Sequence, residues 1–252
     1  MRTLIVIPAR YASTRFPGKP LALLGGKPVI QWVWDSVSGM PGCDAIVATD
    51  DERIRDAVEA FGGHAMMTSD KHRSGTDRCG EVAAALAEQG REYDIVVNLQ
   101  GDEPFTRRQQ VAALLDCFGE PQTSIATLRT PIRTTEELLS PNNVKVVCDA
   151  AGHALYFSRQ PLPYLRGVRQ EEWTGHHEYY KHVGIYAFHA GTLAELVRLK
   201  ATPLECGESL EQLRWLENGY AIQTRLTDSA NIGIDTPEDL EAAERRIQQH
   251  ID

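Results

Sequence analysis

Four short apolar runs, at residues 3–7, 44–48, 64–67 and 94–99, alternate with amphipathic stretches through the first half of the chain. Runs this short read as buried strands, and the stretches between and after them, at 28–38, 52–61, 76–89 and 107–118, read as helices. Strands joined by helical crossovers predict an α/β fold with a predominantly parallel sheet. Gly62-Gly63 and Gly90 stand where helix C-terminal glycines belong. The second half is less regular. Strands are expected at 124–128, 144–148, 154–158, 183–188 and 221–224. Residues 161–180, with four Pro or Gly, are too long for an ordinary connection and serve either as a functional excursion or as a subunit contact. A last helix is expected over 237–249, where Leu240, Ala243, Ile247 and Ile251 recur at helical spacing. No repeat or low-complexity linker marks a boundary, so residues 1–252 read as one domain.

At 252 residues the chain buries enough apolar surface to fold without disulfides. Its five cysteines are odd in number, widely spread and free of any Cys-x-x-Cys pair, which fits reduced thiols in a cytoplasmic protein. The apolar N-terminal run is cut by Pro8 and Arg10, unlike a signal peptide. No run approaches the roughly 18 apolar residues of a membrane span. With a net charge of -9 and no long basic block, duplex nucleic acid is not an expected partner.

Against that acidic background the first acidic residue is Asp35, and Arg2, Arg10, Arg15, Lys19 and Lys27 all precede it. Three of these cations fall in the segment from Pro8 to Leu21, directly after the first strand. Gly18-Lys19 lacks the Ser/Thr of a Walker loop, since Pro20 follows, and no Gly-x-Gly-x-x-Gly fingerprint is present. What remains is a different phosphate loop, in which Arg10 and Arg15 grip oxygens bidentately and Lys19 supplies a point charge. A solvated basic turn is the alternative.

Two acidic positions complement the cations. In Gln100-Gly-Asp102-Glu103-Pro, just past the fourth strand, Asp102 is nearer the strand end, after a glycine that lets ligand approach the backbone; such hard oxygen ligands suit Mg²⁺. In Asp235-Thr-Pro-Glu-Asp239, Thr236, Pro237 and Asp239 supply a helix cap, leaving Asp235 available as a ligand or as a plain turn residue. The cluster from His176 to His182 fails a zinc motif, because Lys181 stands where His177-Glu178 would need its second histidine. Ser209 reads as the cap of an amphipathic helix with Leu210, Leu213 and Leu216 on its inner stripe, and with Glu211 and Gln212 turned away from most of it.

Taken together, IPARYASTRFPGKPL (7–21), ATDDERI (48–54), SGTDR (74–78), VNLQGDEP (97–104), NVKVV (143–147), ALYFSR (154–159), YYKHVGIYAF (179–188), LEQLRWLENG (210–219) and GIDTPEDL (233–240) resemble the 3-deoxy-manno-octulosonate (Kdo) cytidylyltransferase family nearly end to end. The resemblance implies a nucleotidyltransferase fold of the GT-A-like kind, with a sugar-binding and dimerisation excursion at roughly 150–205. It implies transfer of CMP from CTP to Kdo, with lipopolysaccharide biosynthesis as the setting, and a homodimer. By motif, Arg10, Ser13, Arg15 and Lys19 would hold the CTP phosphates, and Arg73, Ser74, Gly75 and Gln100 the cytidine side. Asp102 and Asp235 would coordinate Mg²⁺, and His182, Tyr186, Glu211 and Gln212 would approach the sugar acid. The catalytic set is then Lys19, Arg10, Asp102 and Asp235. A sialic acid cytidylyltransferase would share the loop and carboxylates, whereas a non-catalytic nucleotide-binding protein would need no metal-holding pair.

Overall fold

The structure, a computed structural model, describes residues 1–228 and 233–248. Its chain divides into two compact units: Met1–Val111, Phe188–Val197 and Asn231–Asp252 form the first, Ala112–Ala187 and Arg198–Ala230 the second.

In the first unit, strand β1 (Thr3–Ala9) is flanked by β2 (Cys43–Thr49) and β4 (Ile95–Asn98), and β3 (Ala65–Met67) lies beyond β2. All these pairings are parallel, with Thr3 opposite both Cys43 and Ile95, and Thr49 opposite Met67. Leu4, Ile5, Val6 and Ile7 are fully buried, as both faces of a covered parallel strand require. Three helices make the crossovers: α1 (Val29–Val37), α2 (Glu52–Ala60) and α3 (Gly75–Glu88). The Asp51 side chain caps α2 by accepting from the Arg53 N–H at 3.0 Å. Ser74 and Asp77 form a reciprocal capping box on α3, and Gly90 ends that helix at φ +78° with the paired backbone bonds of a Schellman motif. Because every strand points the same way, the loops after β1, β2, β3 and β4 all emerge at one edge of the sheet.

The C-terminal helix, Pro237–Gln248, also belongs to this unit. Ile234 and Ala243 pack with Leu24 and Val29, backed by Phe16, Trp32, Leu240 and Ile247. Gln249 and Ile251, expected in that helix, and Asn231-Ile232 lie outside the described residues.

The second unit contains β5 (Ile125–Pro131), β6 (Lys145–Cys148), β7 (Ala154–Ser158), most of β8 (Tyr180–His189) and β9 (Gln223–Leu226). Here β9 runs parallel to β5, whereas β6 is antiparallel to both β7 and β8. The α/β class with a mostly parallel sheet is therefore as expected, and the antiparallel pairs account for the less regular second half of the sequence. Residues 161–180 are packed around their own aromatics: Trp173 and Tyr179 stack at 6.3 Å and are buried with Ile132 and Leu138.

One local expectation is corrected. Ser209 does not cap a following helix; it ends the preceding one, Pro203–Glu208, with φ 53° in the left-handed region. Leu210 N–H donates back to the Glu205 carbonyl at 3.2 Å, and the Arg159 guanidinium takes the Glu208 and Ser209 carbonyls at 2.8 and 3.3 Å, which closes the helix at Ser209. The next helix begins only at Gln212, and Gln212 is buried, 6% exposed.

Candidate active site

The loop after β1 is shaped before any ligand is considered. Gly18 donates to the Tyr11 carbonyl at 2.9 Å and Phe16 N–H donates to Ser13 Oγ at 3.3 Å. Gly18 holds φ +73°, which favours glycine, and a Cβ there would stand 3.0 Å from the Tyr11 ring, which would have to give way. This closure returns Lys19 to the sheet edge beside the chain leaving β4. There Gly101 N–H donates to the Pro8 carbonyl at 3.2 Å. A Cβ on Gly101 would meet that carbonyl at 2.6 Å, so the glycine is demanded by close approach of two backbones, where the sequence alone pointed to approach of a ligand.

Asp235 arrives from 216 residues further along the chain. Asp239 accepts from both Asp235 N at 3.0 Å and Thr236 N at 2.9 Å, while Thr236 Oγ1 accepts from Asp239 N. Ile234 N–H donates to the Asp102 carbonyl at 2.8 Å. The helix cap is thus complete without the Asp235 carboxylate, as the sequence predicted, and that carboxylate is set beside Asp102. Lys19 Nζ donates to Asp102 Oδ2 and, at 2.9 Å, to Asp235 Oδ1; Arg15 reaches Asp235 Oδ2 at 3.0 Å. Burial works against the Lys19 charge, but the two carboxylates outweigh it and hold its pKa above the ordinary lysine value. Burial likewise acts to raise Asp235, and Lys19 and Arg15 override it, keeping that carboxyl below the usual range. Both groups are charged at neutral pH.

A cavity of about 290 Å³ opens over this cluster. Arg10, Ser13, Arg15 and Lys19 line it from the first loop, Arg73, Ser74 and Gly75 from the start of α3, Gln100 and Asp102 from the chain after β4, and Asp235 from the last motif. The N-terminus of a 14-residue helix at its wall favours anions, by roughly 0.3–1 kcal/mol for an exposed charge. His72 and Arg78, to which the motifs assign no role, also line it. A signal for Arg78 was present: it shares the apolar stripe of Val82 and Leu86 at i, i+4, i+8, where a cation needs a buried partner.

The four residues expected near a sugar acid lie in the second unit and are absent from the lining of this cavity. They neighbour one another: His182 and Tyr186 rings are 5.2 Å apart, and Glu211 charge adds to burial in pushing the Tyr186 hydroxyl well above its usual pKa. His182 Nε2 bonds Thr127 Oγ1 at 2.9 Å, and its ring meets Phe157 edge-on. Although the ring keeps a partial opening to solvent, this enclosure lowers its pKa to about 3, so it is neutral at physiological pH. Gln212 sits beside Leu213 and Trp215 in the buried face of its helix.

No group of three or more His, Cys, Asp or Glu that could hold a metal is found among the described residues, and no described helix is long and apolar enough to cross a membrane. A parallel sheet that gathers cations, a helix N-terminus and two carboxylates at its C-terminal edge defines an α/β protein suited to a polyphosphate-bearing ligand. Comparison with known proteins narrows the class. A family described as cytidylyltransferase matches residues 4–226. The chain is 54% identical over 252 residues to a 3-deoxy-manno-octulosonate cytidylyltransferase of Phocaeicola vulgatus, covering 99% of this chain and 98% of that one. It is 49% identical to the protein of the same name from Thermodesulfovibrio yellowstonii, covering 99% and 100%. A solved CMP:2-keto-3-deoxy-manno-octonic acid synthetase complexed with CTP matches at 43% identity and TM-score 0.90, covering 99% of this chain and all of that one. A cytidylyltransferase from Leptospira borgpetersenii, 17% identical with TM-score 0.63 and coverage of 99% and 87%, shares the fold. The chain belongs to the cytidylyltransferase family and, within it, to the 3-deoxy-manno-octulosonate cytidylyltransferases.

Proposed function

We propose that this enzyme transfers CMP from CTP to the anomeric hydroxyl of Kdo, giving CMP-Kdo and pyrophosphate, the activated sugar acid being destined for lipopolysaccharide. The observation that carries the reading is the meeting of Arg15, Lys19, Asp102 and Asp235 at the edge where β1 and β4 end. The sugar hydroxyl oxygen forms a bond to the α-phosphorus and loses its proton to water, the bond between that phosphorus and the bridging oxygen breaks, and its electron pair leaves with pyrophosphate. Both reactants are anions, so neutralising and aligning them is the main task.

Arg10, Ser13, Arg15 and Lys19 bind the phosphates in this account, Lys19 remaining protonated as negative charge grows on the departing pyrophosphate. Arg73, Ser74, Gly75 and Gln100 receive the cytidine side. Neutral His182, with Tyr186, Glu211 and Gln212, orients the sugar acid. The donor set also fits Mg²⁺: two carboxylates converge on one cation, the Lys19 ammonium, and Mg²⁺ is commonly held by one or two carboxylates together with substrate phosphates. Asp102 and Asp235 would hold the ion, which supplies Lewis-acid neutralisation of phosphate oxygens when bound. A cytoplasmic homodimer completes the reading, and sedimentation showing only monomer at working concentration would remove that part.

The test is pyrophosphate release from CTP with Kdo, 8-amino-Kdo and N-acetylneuraminate supplied separately. Kdo is expected to exceed N-acetylneuraminate in kcat/KM by at least about tenfold, the discrimination available from a few pocket contacts. Preference for N-acetylneuraminate, or no release with any sugar acid, would overturn the assignment.

A further inference from the structure

We propose that Arg78 and Glu81 are positioning residues: a clamp on α3 that sets the 68–74 loop, and through it the nucleotide side of the cavity. The proposal rests on the cytidylyltransferase reading. That loop runs from β3 to the Ser74 cap of α3 and delivers His72, Arg73 and Ser74 to the cavity wall. A connection of this kind would ordinarily be among the more mobile parts of a fold. Here it is folded back onto the helix it feeds and tied at both of the helix's first two turns.

Arg78 is 4% exposed. Its Nη2 donates to Asp50 Oδ2 at 3.0 Å, while Nη1 donates to Thr68 Oγ1 and to the Ser69 carbonyl at 3.3 Å. One guanidinium therefore joins the loop after β2 to the loop after β3, using the fixed fork that lysine lacks. Three residues on, on the same face of the helix, Glu81 Oε2 accepts from Ser69 N at 2.9 Å and pairs with His72 Nε2. Burial opposes the Glu81 charge, but the Ser69 N–H and His72 prevail and keep its carboxyl below the usual range. Thr68, Ser69 and His72 are thus fixed, and the chain has only Arg73 to place before Ser74 enters the capping box. Glu81 itself does not line the cavity. Its influence on ligand binding runs through the loop, the supporting role that an accurately placed site demands.

Full-length Glu81→Ala, Glu81→Gln and Arg78→Lys proteins decide the matter by steady-state kinetics with CTP and Kdo varied separately, CTP calorimetry and thermal melts. In Glu81→Ala, KM and Kd for CTP should rise about tenfold while kcat stays within about twofold and KM for Kdo is unchanged, the pattern of lost ground-state binding. Glu81→Gln, which keeps an acceptor for Ser69 N, should recover most of the loss. Arg78→Lys should shift CTP binding in the same direction; Glu81 is partly exposed, so its variants carry the test if Arg78→Lys does not fold. A folded Glu81→Ala protein with wild-type CTP affinity, or one in which kcat and both KM values deteriorate together, would overturn the proposal. Failure of the wild type to release pyrophosphate would overturn the underlying reading, and the calorimetry would still judge the clamp.

Discussion

Lys19 is the residue on which the site turns. Its ammonium is shared by two carboxylates that come from segments 83 and 216 residues away, so its position reports the assembly of the whole cavity. Replacing Asp102 or Asp235 by Asn keeps size but removes charge, and each change should lower turnover by at least ~10²-fold, as loss of one preorganised electrostatic contact does; kinetics at saturating Mg²⁺ check this, and near-native turnover would remove the proposed metal role. Lys19→Ala should be similarly inactive with its fold retained by circular dichroism. His182 gives a pH prediction. Its pKa of about 3 in the folded protein lies below the roughly 6.5 of an unfolded histidine, so between those values the unfolded chain binds more protons. The stability from keeping His182 neutral is therefore fully present above about pH 6.5 and declines as pH falls toward 3. Melting temperature should drop more steeply over pH 6.5–4 for the wild type than for His182→Gln, and superimposable profiles would contradict the assignment.

At the scale of elements, the sheet edge is held by backbone contacts that tolerate no added atoms. Gly101→Ala would drive a Cβ into the Pro8 carbonyl, and the displacement should cost about 1–3 kcal/mol, read by urea denaturation, while shifting Asp102 and weakening CTP binding. Asp239→Ala removes the acceptor for two backbone N–H groups and should cost about 1 kcal/mol of stability. Much of this was legible in the sequence. The β-branched runs, the glycines after α2 and α3 and the Thr236–Asp239 cap each carry local chemistry that decides local structure. Ser-Leu-Glu-Gln satisfies a helix-start pattern at Ser209, whereas the helix before it is closed there by Arg159, 50 residues away, which takes the Ser209 carbonyl. Arg78 is marked by its place in the apolar stripe of α3, but Glu81 is not: its partners Ser69 and His72 lie across a loop, and spacing along the chain does not report them.

At the scale of the whole molecule, a protein with a net charge of -9 gathers Arg10, Arg15 and Lys19 where β1 ends, a local field that attracts an anion. The cations were visible from charge alone; their pairing with Asp102 and Asp235 became chemistry only once a parallel sheet brought distant loops to one edge. The account's central claim is that this cluster drives CMP transfer to a sugar acid. Its most direct test is pyrophosphate release from CTP, with and without Kdo, by the wild type and Asp102→Asn. The account predicts Kdo-dependent release by the wild type and a loss of at least ~10²-fold in the variant. Equal release by both proteins, or release indifferent to Kdo, would contradict it.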